Sequence, residues 1–197
     1  MEYGEQISIL GLSWGFIHFV ENNGMAFGIS LGGNWGKLAL SLFRIGAVAF
    51  LIYYIRKMIQ AQANIGVLVC FSLILAGAIG NILDSVFYGM IFSESSYHGG
   101  VAQMFPEGGG YSSFLFGKVV DMLYFPMIDT YLPEWLPIWG GERFQFFKPV
   151  FNVADSSIST GIISLLIFQR HFFKTQPIKT EQQPLQAAAA IVSVEEE

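Results

Sequence analysis

The chain has 197 residues, of which 53% are hydrophobic and only 13% carry a charge. Because a soluble domain carries about 25% charged residues, this composition argues against a water-soluble globule and excludes intrinsic disorder, which needs low hydrophobicity and high charge. The net charge of −5 argues against nucleic-acid binding, which needs a basic patch. A single cysteine, Cys70, excludes an intramolecular disulfide and a cysteine-based zinc cluster. The sequence therefore predicts a membrane protein of about one domain.

The first apolar segment, residues 7–20, is shorter than the roughly 20 residues that a helix needs to cross a bilayer. Its aromatic and β-branched residues are interrupted by glycines, a pattern typical of a strand pair or an interfacial element. Acidic residues precede it, whereas the leading region of a secretory signal peptide is basic. This segment is therefore predicted to be neither a span nor a signal peptide.

Three segments are predicted to be membrane spans. Residues 38–55 carry one charge, Arg44, which either pairs with an acidic group in the bundle or extends to the interface. Residues 65–83 carry none, and both segments approach the apolar length of about 20 residues that a span requires. The third, residues 155–169, reaches that length only if its helix begins near Asp155. The sequence predicts a membrane-embedded all-α helical bundle with a small β-rich element outside the membrane.

The basic residues predict which ends of the bundle face the cytoplasm. Arg56 and Lys57 follow the first span and further basic residues follow the third, and short cytoplasmic loops carry an excess of Lys and Arg. The outer segment, residues 85–153, is rich in aromatics, Gly and Pro and has mainly acidic charges, which suits the outer membrane interface. We expect residues 1–174 to form one integral membrane domain and residues 175–197 to form a disordered cytoplasmic tail.

Polar residues gather in clusters that the predicted topology brings to the outer edge of the membrane. Ionisable residues at membrane depth are costly and usually functional, so their convergence at one depth favours a site over surface decoration. The clusters lie at residues 22–24, 80–84, 118–121 and 151–155, and they contain Asn22, Asn81, Asp84, Asp121, Asn152 and Asp155.

Each of these side chains also has a structural explanation. Asp155 fits the N-cap of the third helix, where Asp is favoured, and Asp121, which follows two valines, fits a strand end or a turn. Asn81 and Asn152 could satisfy backbone groups at helix ends. Asp84 differs, because an anion is disfavoured near the C-terminal end of a helix. It therefore needs hydrogen-bond donors and predicts a buried network.

Two carboxylates that are held close together share one proton. One then acts as a base that activates water, while the other acts as an acid that protonates the leaving group. This is the chemistry of aspartic proteases, and it needs no metal or cofactor. His18 and His98 have no spacing typical of metal ligands, so no metal site is predicted.

In this order, the clusters resemble the motifs of lipoprotein signal peptidase, the bacterial signal peptidase II. Residues 22–27 are similar to the N-x-G-x-A-F motif of that family, and residues 80–84 to the start of its G-N-x-x-D-R motif. Residues 119–121 are similar to the start of V-V-D-F, and residues 151–156 to F-N-x-A-D-S. Motifs in the same order form a specific signal, which covers residues 20–168.

The resemblance implies an aspartic endopeptidase of the bacterial cytoplasmic (inner) membrane, with its active site near the extracytoplasmic face. Enzymes of this family remove the signal peptide from prolipoproteins, cutting before a cysteine that carries diacylglycerol. The implied partners are lipid-modified prolipoproteins and membrane lipids, with no cofactor and no nucleic acid. Carried over by position, the catalytic pair is Asp121 and Asp155, and the residues that support or line the site are Asn22, Gly24, Asn81, Asp84 and Asn152.

The sequence departs from the family pattern in three respects. Ser85 stands where the family has Arg after Asp84, so whatever that arginine positions must be supplied by another residue. The stretch from Asp84 to Asp121 is long, and residues 87–116 are predicted to form an elaborated outer loop. The family begins with a further membrane helix, making four, and we expect the corresponding start codon to lie upstream of Met1.

Two hypotheses from other classes stand beside the peptidase. A channel or transporter could use Asp84, Asp121 and Asp155 as an ion or proton path, but such a path predicts acids strung across the bilayer rather than gathered at one edge. A catalytically impaired scaffold derived from the peptidase would keep the motifs without a working site. Sequence upstream of the chain would discriminate that scaffold from the enzyme.

Overall fold

The structure of the protein, a computed structural model, describes residues 1–23, 33–96 and 100–173. The predicted tail at residues 175–197, together with Gly24 and His98, lies outside the described residues. The elements in chain order are β1 (Gln6–Ser8), β2 (Phe16–Asn22), α1 (Gly33–Gln60), α2 (Ile65–Leu83), α3 (Gly89–Ile91), β3 (Val119–Tyr124), β4 (Ile128–Tyr131), β5 (Arg143–Phe146), β6 (Val150–Phe151) and α4 (Val153–Phe168).

Of the three predicted spans, two have the length and apolar composition to cross a membrane. They occupy Trp35–Gln60 and Ile65–Ile91, and so extend beyond the predicted boundaries. The third, α4, is a shorter apolar helix of 16 residues, and Asp155 lies in its first turn as the sequence predicts. The three predicted helices are therefore present in the described chain, although only two of them have the full length of a span.

The sequence predicts that the second span ends at residue 83, but the helical backbone continues beyond α2. It continues through a π-helical turn, Asp84–Tyr88, into α3, so Asp84 lies inside a longer helix rather than at its C-terminal end. The extension is possible because the outer loop supplies hydrogen-bond donors to its carbonyl groups, for example from the N–H of Gly117 to the oxygen of Ser85 at 2.9 Å. The prediction of an outer loop at residues 87–116 is therefore wrong as far as Ile91, where the chain is still helical.

α2 and α4 pack antiparallel to each other through small residues. Gly77 lies so close to α4 that a Cβ atom there would clash with the carbonyl oxygen of Ala154, and Gly161 lies in the same way against the backbone of Cys70. Small residues at such contacts let two helices approach closely, as is typical of helices packed inside membranes. This packing places the C-terminal part of α2 beside the first turn of α4.

The other end of the helical bundle is held by an apolar cluster. Its buried members are Ile55, Met58, Val67, Cys70 and Leu165. α1 ends and α2 begins beside this cluster, and Arg56 is exposed there. The basic end of the bundle is thus separated from Asp84 by the length of α2, about 28 Å for its 19 residues.

A four-stranded antiparallel sheet lies beside the π-helical turn that follows α2. Its strand order is β1-β2-β3-β6, with Val20 on β2 opposite Asp121 on β3. β4 and β5 form a separate two-stranded antiparallel hairpin. The strand pair predicted within residues 7–20 and the small β-rich element are confirmed. The sheet joins strands that are far apart in the sequence, and it brings β3 to the helices.

Candidate active site

Two carboxyl groups come together where β3 meets the start of α4. Asp121, the third residue of β3, has an exposed fraction of 4%. A single residue connects it with Asp155: the side-chain Nδ2 of Asn152 donates to Oδ1 of Asp121 at 3.1 Å, and the backbone N–H of Asn152 donates to Oδ2 of Asp155 at 3.3 Å. Asp121 lies inside a strand, so the alternative of a strand-end or turn residue is wrong. The carboxylates that the sequence predicts as a pair are brought together.

Asn152, rather than Asp155, is the N-cap of α4. Oδ1 of Asn152 accepts from the backbone N–H of Asp155 at 2.8 Å, and the Asp155 carboxylate accepts in return from the backbone N–H of Asn152. These reciprocal bonds form a capping box. The N-cap alternative for Asp155 is wrong because Asn152 has the extended backbone that a cap requires. The prediction that Asn152 satisfies a backbone group at a helix end is confirmed. Its side chain also donates a hydrogen bond to Asp121.

Asn81 ties α2 to the carboxyl pair. Its Nδ2 donates to Oδ1 of Asp155 at 2.8 Å, and its Oδ1 accepts from Nδ2 of Asn152 at 2.9 Å. The side chain is buried, and it lies one turn after Gly77, whose contact with α4 allows the close approach. These bonds go to side chains of the site, so the alternative that Asn81 satisfies backbone groups at a helix end is wrong.

Asn22 and Asp84 hold β3 from either side. Nδ2 of Asn22 donates to Oδ2 of Asp121 at 3.1 Å. Oδ2 of Asp84 accepts from the backbone N–H of Val120 at 3.2 Å, so the donor that the sequence predicts for Asp84 is the strand next to Asp121. The described structure therefore gathers every predicted site residue except Gly24, which lies outside the described residues.

The surroundings of Asp121, which lies on a strand outside the spans, favour its protonated form. Burial raises the pKa of Asp121 to about 6; the hydrogen bonds from Asn22 and Asn152 lower it, and the nearby charge of Asp155 raises it further. Asp155 instead accepts from Asn81 and from the backbone at the N-terminus of a helix, where the dipole favours an anion. When the pair holds a single proton, Asp121 is therefore the member that holds it.

A polar stripe on α1 faces the same region, and Arg44 alone among its members is singled out by the sequence. Lys37 and Ser41 donate hydrogen bonds to backbone carbonyl oxygens of the outer loop at 2.9 and 3.1 Å. Nη1 of Arg44 lies 3.5 Å from the hydroxyl of Ser85, at the outer limit of a hydrogen bond. Positions 37, 41 and 44 share one helix face, and this spacing is the signal that could have identified the stripe.

A buried ion pair lies beside the carboxyl pair. Nζ of Lys118 lies 2.7 Å from Oε2 of Glu21, whose side chain is 1% exposed. The ammonium group also lies 5.2 Å from the ring centre of Tyr111. A buried carboxylate is costly without such a partner. Lys118 belongs to the predicted cluster at residues 118–121 and Glu21 directly precedes the one at residues 22–24, and these positions could have identified the pair. Within the described ranges, no group of three or more His, Cys, Asp or Glu side chains is placed to hold a metal ion.

Comparison with known proteins identifies the family to which these motifs belong. A family model described as "Signal peptidase (SPase) II" matches residues 2–171. The chain belongs to the signal peptidase II family. The resemblance that the sequence motifs predict is therefore confirmed, and the match covers the helices, the sheet and the carboxyl pair.

Members of the signal peptidase II family resemble this chain over most of its length. The lipoprotein signal peptidase of Porphyromonas gingivalis is 59% identical over 155 residues, which cover 78% of this chain and 66% of that relative. The lipoprotein signal peptidase of Amoebophilus asiaticus is 35% identical over 175 residues, which cover 88% of this chain and 68% of that relative. The chain thus spans just under two thirds of the length of the first of these relatives.

Two solved bacterial membrane enzymes, both determined by the in meso method, have a similar fold. One gives a TM-score of 0.54 with 24% identity and covers 91% of this chain and 80% of that chain. The other gives a TM-score of 0.51 with 26% identity and covers 89% of this chain and 79% of that chain. The arrangement of apolar helices and a small sheet is therefore shared with membrane enzymes.

Proposed function

We propose that this protein is a membrane aspartic endopeptidase that removes signal peptides from diacylglyceryl-modified prolipoproteins, cutting before the lipidated cysteine. Membership in the signal peptidase II family supports the activity, as does 59% identity to the lipoprotein signal peptidase of P. gingivalis. The observation that carries the aspartic mechanism is the pair of carboxyl groups, Asp121 and Asp155, joined by Asn152.

The pair can divide the steps of peptide hydrolysis between its members. Ionised Asp155 takes a proton from a water molecule, whose oxygen bonds to the carbonyl carbon of the scissile peptide, while Asp121 gives its proton to the carbonyl oxygen. The resulting diol then collapses and its C–N bond breaks. Asp155 passes its proton to the leaving nitrogen, and Asp121 takes one back from a hydroxyl of the diol. Both carboxyl groups are thereby returned to their starting protonation states.

We further propose that the site lies at the extracytoplasmic face of the inner membrane. Exposed Arg56 and Lys57 lie at the far end of the bundle from Asp84, and such basic residues favour the cytoplasmic side. A prolipoprotein anchored in the outer leaflet by its diacylglycerol would present its scissile bond at the depth of the carboxyl pair. Membrane lipids and lipid-modified prolipoproteins are accordingly the proposed partners, and residues 1–174 the proposed membrane domain.

The test is cleavage of a purified, diacylglyceryl-modified prolipoprotein by the protein in detergent micelles, followed by gel shift. Asp121→Asn and Asp155→Asn should each abolish cleavage, because Asn neither accepts nor delivers a proton at neutral pH. The double variant should be no worse than either single variant, since residues that act as a unit are not additive. Asp129→Asn on β4 is the matched control, because its carboxylate is exposed and lies on a hairpin separate from the sheet that holds Asp121.

Different results would contradict different parts of the proposal. Substantial turnover by folded Asp155→Asn would refute the aspartic mechanism but leave the peptidase activity standing. A folded wild-type protein that cleaves no lipid-modified precursor would favour the impaired scaffold instead. The ion-conducting alternative is not favoured, because Asp84, Asp121 and Asp155 gather at one end of the bundle instead of following it from end to end.

A further inference from the structure

Arg44 is a cation inside an apolar span, and it faces the interior of the protein. Its neighbours Leu42, Phe43 and Ile45 are exposed on the outside of α1, whereas Arg44 itself is half-buried. Charged residues inside spans are rare, and those that occur face the bundle interior and usually have a function. The orientation of α1 therefore directs the guanidinium group to the region where α2 and α4 meet.

The guanidinium group connects to the carboxyl pair through Ser85. Nη1 of Arg44 lies 3.5 Å from Oγ of Ser85, and that hydroxyl donates to the backbone oxygen of Asn81 at 3.0 Å. Asn81 in turn donates to Asp155. The charge of Arg44 also acts directly on both Asp155 and Asp121. The cation of Arg44, on the neighbouring helix, therefore lies beside Ser85. The G-N-x-x-D-R motif, which residues 80–84 resemble, has an arginine at that position.

Several charged groups surround the carboxyl pair, and they differ in their interaction partners. Lys118 pairs with Glu21 at 2.7 Å, and the ammonium group of Lys37 donates to a backbone carbonyl oxygen. Charged and titratable groups on the elements packed around the pair include Arg44 and Lys37 on α1, Asp84 and Tyr88 on the π-helical turn, His18 and Glu21 on β2, Tyr124 on β3, and Lys118 and Tyr111 on the outer loop. Of the two cations on α1, Arg44 is the one whose charge acts on both members of the pair.

We propose that Arg44 is a positioning residue of the carboxyl pair, supplying from α1 the positive charge that the family motif has at position 85. In this role its positive charge stabilises the ionised carboxylates, and so lowers the pH at which Asp121 releases the proton of the pair. The proposal rests on the proposed function only in treating the pair as catalytic. Its electrostatic part concerns the protonation of Asp121 and can be measured without any substrate.

The experiment compares Arg44→Gln, Arg44→Lys and the relocated arginine, Arg44→Gln with Ser85→Arg. In each protein the protonation of Asp121 is followed by carboxyl ¹³C NMR in micelles, and the pH profile of kcat is measured on the lipid-modified precursor. Arg44→Gln should raise the midpoint of Asp121 protonation by about one pH unit, because an opposite charge nearby shifts such groups by about 1–3 units. The kcat profile should move to higher pH by a similar amount.

The charge-keeping variants distinguish electrostatics from packing. Arg44→Lys should remain close to the wild type in both measurements, and the relocated arginine should restore most of what Arg44→Gln loses. If Ser85→Arg prevents folding, the contrast between Arg44→Lys and Arg44→Gln still decides the question. Arg56→Gln, at the exposed end of the same helix, is the matched control and should change neither measurement.

Two results would overturn the proposal. One is an unchanged Asp121 midpoint in folded Arg44→Gln. The other is an equal shift in Arg44→Lys and Arg44→Gln, which would assign Arg44 a packing role. A wild type that fails to cleave the precursor while Arg44→Gln still moves the Asp121 midpoint would refute the proposed function and leave the electrostatic role of Arg44 supported.

Discussion

The replacement Asp121→Asn is expected to make the folded protein more stable relative to wild type as the pH rises, although it removes a proposed catalytic group. In the folded protein burial raises the pKa of Asp121 from an ordinary 3.8 to about 6. Each pKa unit corresponds to about 1.4 kcal/mol, so ionisation of this carboxyl group lowers the free energy of unfolding by about 3 kcal/mol at neutral pH. Asn carries no charge at any pH and avoids that cost.

The free energy of unfolding of Asp121→Asn relative to wild type depends on pH, and the direction of the change follows from proton binding. Because folding raises the pKa of this acid, the folded protein binds the Asp121 proton more tightly than the unfolded chain does. The cost is absent well below pH ~4, where both states are protonated, and complete above pH ~7, where both are ionised. The stability of Asp121→Asn relative to wild type should therefore rise by about 2 kcal/mol between pH ~4.5 and pH ~8. In melting temperature this is about 4–8 °C for a chain of this size.

Cys70 provides the assay, because it is the sole cysteine and is buried in the bundle. A thiol-reactive fluorogenic dye reports its exposure as the protein is heated in micelles at each pH. Asp129→Asn is the control: hydrogen bonds from Arg143 and Gln145 hold the pKa of exposed Asp129 at about 2, so it stays ionised across this range. If Asp121→Asn is less stable than wild type by the same amount at every pH, Asp121 is only a hydrogen-bond acceptor and the buried-charge reasoning is refuted.

Three further predictions concern topology, packing and the cap of α4. Cysteines placed at Lys57 and Gly109, in a protein without the native cysteine, should be labelled from opposite sides of the membrane; labelling of both from outside would contradict the topology. Gly77→Leu should lower the melting temperature and cleavage together, because it separates α2 from α4, whereas Gly46→Leu, with open space around it, should change neither. Asn152→Ser should keep the free energy of unfolding within about 1 kcal/mol, since Ser also caps helices, yet lose at least about tenfold in kcat. Full activity in that variant would show that the bridging amide is dispensable.

The sequence predicts the elements and the meeting of the site residues because both depend on local patterns. Apolar length alone identifies α1 and α2, and the aromatic, β-branched pattern of residues 7–20 identifies the strand pair. The polar clusters fall at the ends of these elements, so a simple topology brings them to one edge. The N-cap of α4 could also be predicted from the sequence. Asn152 is followed three residues later by Asp155, and this spacing fits a capping box with Asn152 as the cap.

Other features depend on contacts between distant parts of the chain, which local patterns do not contain. Asp84 looks like a helix-end residue in sequence, but the outer loop supplies donors that allow the helix to continue past it. The partners of Lys37, Ser41 and Arg44 on α1 lie in that same loop and on the π-helical turn. The protonation of Asp121 likewise depends on burial by strands and helices that the sequence does not place next to one another.

The double role of Asn152 ties the geometry of the carboxyl pair to the formation of α4. Its Oδ1 caps the helix by accepting from the backbone of Asp155, and its Nδ2 donates to both Asp121 and Asn81. The amide thus uses its oxygen and both of its N–H groups, which neither a carboxylate nor a hydroxyl could do. Asp155 cannot move away from Asp121 without breaking the cap, and the first turn of α4 cannot unwind without separating the pair. The stability of the helix start therefore helps to hold two carboxyl groups at a separation that they would otherwise avoid.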